Sequence, residues 1–440
     1  MRHGGPTLAF VLVAALLAAC SGGPQRNAAP ADAGERAAAS DYIGPGTFAQ
    51  LNALQREANT LNSPLAVHEF YRKRYEESEG GLRNLIAQVL AANDSELCDY
   101  ETAVRRFPFG TPGLRGTPAA LPDRERYRAV DAAVGIAELA RGRRIVVVNE
   151  AHHVAETRLL TLQLLPKLRA LGYTHLAVEG LDERDRELGA RGYPIQSSGT
   201  YLREPLYGEI VRQALALGYV VVPYESSRPE ADAETREEDQ AQHIVERVFR
   251  IAPEAKLLVH AGYAHAHERA GYLDAEPMAL RLKRKTGFDP LTVDQTLLRP
   301  VDATREYPDY RELLHRFAIA APSILVANRD GTTWSLEPSY YDISVVLPPP
   351  AKLIVGRPDW LALGGTRTPV AIDIDLSTAH LPCVIEARYR NENDKAVAAD
   401  RVLVERSGTQ ALLFLRPGNY RLSVTDVSGN TFERRTLRVD

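Results

Sequence analysis

Between residues 140 and 350 the chain alternates short apolar runs with longer stretches in which apolar residues recur at helical spacing. The clearest strand-like runs are residues 144–149, 175–179, 219–225 and 256–260. A continuous apolar run of this length is typical of a strand buried on both faces, and strands separated by helices are typical of parallel βαβ units. The pattern predicts an α/β fold with a mostly parallel sheet and helices on both faces.

The segments on either side of this core have different patterns. Apolar residues at helical spacing, followed by a Pro- and Gly-rich stretch, predict a helical segment and a loop over 46–126. A short helix over 127–141 is expected to open the α/β core, which we place at 127–350. Residues 366–440 contain six β-rich runs with tight turns between them, which predict a small antiparallel β-sandwich. We expect the sandwich to be separable from the core.

The beginning of the chain predicts a targeting signal. Residues 7–19 form an apolar run that is too short to span a bilayer but has the length of a signal-peptide core, so we predict a signal peptide over 1–19 and a flexible tether over 20–45. The run ends in Leu-Ala-Ala-Cys20, which resembles a bacterial lipobox. This resemblance implies cleavage before Cys20 and its acylation. Because Ser21 follows, it also implies an anchor in the lipid bilayer of the outer membrane, facing the periplasm. The alternative is an ordinary secretory signal.

Charge and cysteine content narrow the choice of partners. The 53 basic and 57 acidic side chains give a formal net charge of −4, so no nucleic-acid partner is expected. Cys98 and Cys383 remain besides Cys20. In an exported protein they form either a disulfide or two buried thiols, and both alternatives stay open.

Ionisable residues stand at the ends of four successive predicted strands. They are Glu150, Glu179, Glu225 and His260. The carboxyl ends of parallel strands line the ligand crevice of an open sheet. We therefore expect these side chains to converge at one edge of the sheet.

Histidines concentrate at the same places. Five of the eleven fall in two stretches, 149–153 and 260–268: His152, His153, His260, His265 and His267. Neutral imidazole is the commonest metal ligand and the usual general base near neutral pH. Two such loops from separate strands predict a shared metal or water.

These residues also carry a family resemblance. NEAHH after the first core strand, AVEG after the second, a Tyr-Glu strand end and HAGYAHAHE follow in that order. Their order and spacing resemble the superfamily of erythromycin esterases, ChaN and Tiki/TraB proteins over about residues 140–300. The esterase motif Gly-Glu-Ala-Thr-His implies that His153 is catalytic. The Gly-x-x-His motif of Tiki and ChaN proteins implies His152, with a second such motif ending at His265. Asn149 stands where both motifs have Gly.

The function we expect is that of a lipid-anchored hydrolase. It would cleave an ester, lactone or peptide bond of a small-molecule or peptide substrate with a water activated by His and Glu. The candidate catalytic residues are Glu150, His152, His153, Glu179, Glu225 and His260. The sequence has no Gly-x-Ser-x-Gly elbow, Gly-rich phosphate loop or His-Glu-x-x-His motif.

Cofactor and function alternatives stay open. A divalent metal (Mn, Co or Zn) would lower the pKa of a bound water, and its candidate ligands are His152, His265, Glu150 and His267. A haem- or iron-ligand-binding lipoprotein of the ChaN type is the second function, with Tyr263 as candidate haem ligand. An inactive scaffold is the third. The long insertion at 180–204 predicts a lid.

Overall fold

The structure is a computed structural model that describes residues 45–440, apart from 62, 110–112, 115, 229–230, 272–274, 303 and 374–380. The predicted signal peptide, Cys20 and the tether up to residue 44 lie outside the described residues. Within the described ranges, no helix combines the length and the apolar character that a membrane span requires.

The described ranges contain eleven α-helices and sixteen strands. The helices are α1 (Pro45–Ala58), α2 (Pro64–Glu77), α3 (Gly80–Glu96), α4 (Tyr100–Arg106), α5 (Ala132–Leu139), α6 (Arg158–Ala170), α7 (Leu188–Arg191), α8 (Pro205–Ala216), α9 (Ala233–Ile244), α10 (Met278–Thr286) and α11 (Tyr310–Phe317). The strands are β1 (Tyr127–Asp131), β2 (Ile145–Glu150), β3 (His175–Val178), β4 (Val220–Pro223), β5 (Leu257–Gly262), β6 (Leu291–Asp294), β7 (Ser323–Ala327), β8 (Ile343–Val346), β9 (Leu353–Ile354), β10 (Arg357–Pro358), β11 (Thr368–Ile372), β12 (Cys383–Tyr389), β13 (Asp400–Val404), β14 (Ala411–Leu415), β15 (Gly418–Asp426) and β16 (Thr431–Val439).

Eight strands form one sheet in the order β1-β7-β8-β6-β2-β5-β3-β4. From β8 to β4 all neighbours are parallel, and β7 runs antiparallel to β1 and β8. The predicted α/β class with a mostly parallel sheet is therefore confirmed.

Helices cover both faces of the sheet. Helices α5, α6 and α8 pack on one face, and α9 and α10 pack on the other. On the central strand β2, Val146 and Val148 belong to the first apolar cluster, whereas Ile145 and Val147 belong to the second. Successive residues of β2 are apolar because both faces of the strand are buried. Burying each such side chain contributes about 1.5–3 kcal/mol to folding.

The helices that follow β2 and β5 lie on opposite faces of the sheet. Helix α6 follows β2 on the first face, and α10 follows β5 on the second. The two strands are adjacent, and their register pairs Glu150 with Gly262. This is a topological switch point, where open α/β sheets bind ligands beyond the carboxyl ends of the strands.

Residues 127–141 begin with a strand rather than with the predicted helix. Tyr127–Asp131 forms β1, which pairs with β7 at the edge of the sheet. Helix α5 begins only at Ala132, where the Asp131 side chain accepts a hydrogen bond from the Val134 N–H at 2.9 Å. The prediction was wrong because the hydrogen bonds that hold β1 come from a strand almost 200 residues further on.

The six predicted C-terminal strands form two antiparallel sheets, β11-β14 and β13-β12-β15-β16. Their apolar residues share one core, which includes Leu413 of the first sheet and Ile385 of the second. Cys383 lies in this core and Cys98 in the core of the large sheet. Both thiols are buried and unpaired, so the disulfide alternative is wrong. Burial raises the pKa of Cys98 to about 12 and that of Cys383 to about 11.

Candidate active site

Three of the predicted strand-end residues lie at one edge of the sheet. Glu150 is the last residue of β2, Glu179 directly follows β3, and Glu225 lies two residues after β4. Glu150 and Glu179 are each only 1% exposed. Carboxylates this deeply buried need partners, and the partners define the site.

Glu150 orients His152. Its Oε1 lies 2.6 Å from His152 Nδ1, and its Oε2 accepts a hydrogen bond from Arg158 Nε at 2.7 Å. Arg158 also donates to the His152 carbonyl at 3.0 Å and forms an ion pair with Glu204 at 3.0 Å. Burial by itself would raise the pKa of Glu150, but Arg158 and His152 hold it well below its usual range. Glu150 is therefore an ionised carboxylate that accepts a hydrogen bond from His152 Nδ1.

The other ring nitrogen of His152 faces the site. Tyr201 stacks on the imidazole at 3.8 Å between ring centroids, and Tyr263 contacts it edge-on at 5.4 Å. His152 Nε2 is buried, and no described residue forms a hydrogen bond with it. In the tautomer that carries its proton on Nδ1, the ring presents Nε2 as an acceptor.

Gly262 marks a point shared by His152 and Glu179. A Cβ added to this glycine would lie 2.4 Å from His152 Nε2 and 2.8 Å from Glu179 Oε2. The Gly262 N–H also donates a short hydrogen bond to Glu179 Oε2. The absence of a side chain at Gly262 therefore lets His152 and Glu179 pack directly against its backbone.

Arg236 joins Glu179 to Glu225. Its NH2 donates to Glu179 Oε1 at 2.9 Å and to Glu225 Oε2 at 2.6 Å, and Gln240 donates to Glu225 at 3.1 Å. Burial raises the pKa of Glu179, but His265, His152 and Arg236 together lower it below the usual range. Glu179 is thus held ionised at the carboxyl end of β3.

His265 belongs to the same network. Its Nδ1 lies 2.6 Å from Glu237 Oε1, and its Nε2 lies 3.1 Å from Arg236 NH1 and 3.5 Å from Glu179 Oε1. Burial lowers its pKa, but Glu237 and Glu179 raise it more, to about 10. His265 is therefore a cation that offsets the charge of the two carboxylates.

The predicted metal ligands do not converge on one point. They are His152, His265, Glu150 and His267. Both ring nitrogens of His265 already face other groups, and the Arg236 guanidinium occupies the place beside Nε2. His267 packs edge-on against Tyr340 and Tyr341. Among the described residues, no three His, Cys, Asp or Glu are grouped so that they could hold a metal ion. As arranged, these side chains do not fit a shared metal.

His153 contacts a different set of residues from His152, apart from Tyr263. Its Nδ1 lies 3.0 Å from the Tyr263 hydroxyl, Phe107 stacks on its ring at 3.7 Å, and Arg299 NH2 lies 3.4 Å from its Nε2. Burial and the Arg299 charge lower its pKa well below the usual value, so the ring is neutral. Tyr263 contacts both histidine rings and adopts a positive φ of 40°, a backbone conformation that is rare for a bulky residue.

His260 lies below the site instead of at the strand end. The sequence placed it at the end of its strand, but β5 continues to Gly262. Its Nδ1 lies 2.9 Å from the Thr161 hydroxyl, and Tyr207 packs against its ring edge-on. His260 has no exposed surface, and its Nε2 lies 3.6 Å from Glu150 Oε2. It therefore faces Glu150 Oε2, whereas His152 contacts the other oxygen of that carboxylate, Oε1.

The insertion at 180–204 covers His152. Its base is narrow because Gly199 packs on the Gly180 carbonyl, at a point where a Cβ would lie 2.1 Å from the oxygen. Its tip contacts the connection between β12 and β13 through the Pro194 carbonyl, which accepts a hydrogen bond from the Val397 N–H at 3.0 Å. Tyr201, near its end, forms the stacked cover of His152. The predicted lid thus lies over the site, and its opening stays a prediction.

The sequence did not identify three residues of this site. Arg158 was taken as part of an amphipathic helix, Tyr201 as an unremarked residue of the predicted lid, and Gly262 as the start of a motif. An arginine in the first turn of a helix that follows a strand-end glutamate was the one available signal for Arg158. Nothing local marked Tyr201 or the close packing at Gly262.

Comparisons with known proteins leave the family open. No protein-family model and no curated protein matches the chain. Similar solved structures include the type III effector HopBA1, at 15% identity and a TM-score of 0.24 over 42% of this chain and 89% of that one. RRSP, a MARTX toxin effector domain from Vibrio vulnificus CMCP6, aligns at 17% identity and a TM-score of 0.27 over 61% of this chain and 50% of its own. A structure described as "Bacterial protein toxins" aligns at 14% identity and a TM-score of 0.28 over 57% and 48%. This chain spans about half the length of the last two. These scores carry no argument about function, and the resemblance to erythromycin esterases, ChaN and Tiki/TraB proteins stays a prediction.

Proposed function

We propose that this protein is a hydrolase in which His152 activates a water molecule. The observation that carries the proposal is the state of the imidazole. Its Nδ1 is fixed by Glu150 at 2.6 Å, while its Nε2 is buried without a partner among the described residues. A general base requires this arrangement, because the carboxylate sets the tautomer and stabilises the imidazolium that forms.

The attacking water would lie between His152 Nε2 and Glu179 Oε2. Both atoms pack closely on Gly262, so they are near enough to each other for one water to donate to both. A water that donates one hydrogen to each would direct its oxygen lone pair towards the crevice. His152 would take one proton as the oxygen attacks the carbonyl carbon, and would return that proton to the leaving alcohol or amine. The balanced result is cleavage of an ester, lactone or peptide bond by one water.

Two features give the residues their separate roles. Arg236 and His265 keep Glu179 ionised, so it orients the water without competing for its proton. Tyr201 covers the imidazole and excludes bulk water from it. Substrate entry would therefore require the insertion to move. His153, which faces Tyr263 and Arg299, has no place in this scheme and supports the site from behind.

The test is a screen of esters, lactones and peptides with the purified protein, followed by variants on the best substrate. His152→Ala should lower kcat by about 10²–10⁴-fold. Glu150→Gln should also lower kcat and should shift the pH profile, because the tautomer is no longer fixed. His153→Ala should have the smaller effect. The control is His315→Ala, an exposed histidine on α11.

Three outcomes distinguish the alternatives. If His152→Ala hydrolyses the substrate as fast as the wild type, the proposal is wrong. Loss of activity on chelation would favour the metal prediction, which stays open, whereas the geometry of His265 and Arg236 leads us to expect no loss. A Soret band in protein purified from its native membrane would favour the haem-binding alternative, with Tyr263 as candidate ligand. The outer-membrane anchor at Cys20 stays a prediction that is independent of all three.

A further inference from the structure

Three arginines gather where α8 meets the C-terminal sheets, away from the candidate active site. They are Arg212 on α8, Arg367 just before β11 and Arg416 just after β14. The nearest carboxylates are Glu209 and Glu392. These five residues are called the arginine cluster below, and the cluster has three positive charges against two negative ones.

Glu392 is fully used by one of the arginines. Its two oxygens accept from Arg212 Nε and NH2, each at 2.7 Å. Both side chains are less than 10% exposed. This bidentate pair leaves Glu209 as the one cluster carboxylate for the other two arginines.

Glu209 does not satisfy both of them. Arg416 NH2 lies 3.1 Å from its Oε1, Arg367 NH2 lies 3.6 Å from its Oε2, and the Tyr389 hydroxyl donates to Oε2 at 3.4 Å. A separation of 3.6 Å is beyond hydrogen-bonding distance.

Arg367 is consequently a buried cation whose two terminal nitrogens form no hydrogen bond with the described residues. Its side chain is 1% exposed, and neither NH1 nor NH2 forms a hydrogen bond with any described residue. Arg212 NH1 and Arg416 Nε are buried and lack such partners as well. A buried guanidinium without acceptors is strongly unfavourable, so the cluster is incomplete as a set of protein groups.

We infer that the arginine cluster binds a small oxyanion, a carboxylate or a tetrahedral phosphate or sulfate, through NH1 and NH2 of Arg367. The two terminal nitrogens of a guanidinium form a planar fork that matches two oxygens of one anion. One added negative charge also balances the three arginines. The side chain of Arg416 is 36% exposed, so the arginine cluster reaches the solvent at this residue. This site does not depend on the proposed hydrolase activity.

Anion-dependent thermal unfolding of the purified protein tests the site. Sodium phosphate, sulfate and acetate are titrated against sodium chloride at matched ionic strength, so that general screening cancels. At least one oxyanion should raise Tm saturably, by about 2 °C or more, because a ligand that binds only the folded state stabilises it by mass action. Which of the three anions has the lowest midpoint distinguishes a carboxylate from a tetrahedral anion. An identical response to chloride and to every oxyanion would overturn the proposal.

Variants locate the response. Arg367→Met should abolish it, and Glu209→Gln should tighten binding about tenfold, because it removes the carboxylate that competes for Arg367. Arg438→Met, at an arginine that is 81% exposed, is the matched control and should respond as the wild type does. If Arg367→Met does not fold, Glu209→Gln and Arg416→Gln should still move the midpoint in opposite directions. Unchanged midpoints in both variants would mean that an adventitious ion only is bound, and the proposal would be wrong.

Discussion

Gly262→Ala is the smallest change that separates the chemistry of the proposed site from its stability. The glycine has φ −76° and ψ 140°, values that alanine adopts without strain, and the backbone N–H that binds Glu179 remains. The one new group is a methyl, which would lie 2.4 Å from His152 Nε2 and 2.8 Å from Glu179 Oε2. It would therefore push the imidazole and the Glu179 carboxylate away from the arrangement in which they are proposed to hold the water.

The two consequences of this methyl differ in size. Overpacking a tight site costs about 1–3 kcal/mol. Replacing glycine also makes the unfolded chain less flexible, which offsets about 0.4–1 kcal/mol of that cost. The free energy of unfolding should fall by about 1–2 kcal/mol, which is small for a protein of this length. Activity should fall by about 10²–10⁴-fold, because the base loses its water.

The assay measures both quantities in the same preparation. Chemical denaturation gives the stability, and hydrolysis of the best substrate gives kcat. Gly142→Ala is the control, since nothing lies within 4 Å of its added Cβ. A folded Gly262→Ala protein with wild-type kcat would refute the idea that His152 and Glu179 together hold the attacking water.

Three further predictions concern other parts of the chain. Cys20→Ala should release the protein from the membrane fraction or leave an uncleaved precursor; unchanged fractionation would contradict the lipoprotein prediction. Burial lowers the pKa of His68, but its Asp94 and Glu69 partners raise it more, to about 9, above an unfolded value of 6.5. The folded state thus binds the proton more tightly, so this stabilisation, on the order of 3 kcal/mol, is complete below pH 6.5 and is lost as pH rises to 9. His68→Gln should flatten the fall in unfolding free energy across that window, and an equally steep fall would contradict the assignment. Deleting residues 351–440 should destabilise the core markedly in thermal unfolding, because it removes Glu392 from Arg212; a truncated core with wild-type Tm would show that the sandwich is separable after all.

The sequence predicted the site's carboxylates because they interrupt apolar runs. Glu150 and Glu179 each end a run whose residues are buried on both faces, so their position at the sheet edge follows from the strand alone. The same rule failed for His260. Its apolar run ends there, but Ala261 and Gly262 continue the strand by pairing with Asn149 and Glu150. In this strand the apolar run ends before His260, whereas the ladder of hydrogen bonds continues to Gly262.

The partners of those carboxylates could not be predicted from local pattern. Arg158 is only 1% exposed because Glu150 and Glu204 approach it from two different segments. In the sequence, an arginine in the first turn of a helix indicates a solvated charge. The contact between Tyr201 and His152 also depends on tertiary structure. It requires the two ends of the insertion to pack together, as they do where Gly199 meets the Gly180 carbonyl. Burial of charge is a property of tertiary contacts, which periodicity does not record.

The docking of the C-terminal sheets could not be predicted from the sequence either. Their strands were evident from alternation and turns, but Leu412 and Phe414 join the apolar core of the large sheet, and buried charges add further contacts. Arg357 binds Asp400 at 2.6 Å, and Arg401 donates to the Glu96 carbonyl at 2.5 Å, both buried. Such contacts contribute little net free energy but are costly to break, so they fix one arrangement instead of merely adding stability. That arrangement also holds the tip of the insertion whose other end bears Tyr201. The sandwich is therefore in a position to set the cover over His152, which a spacer domain would not be.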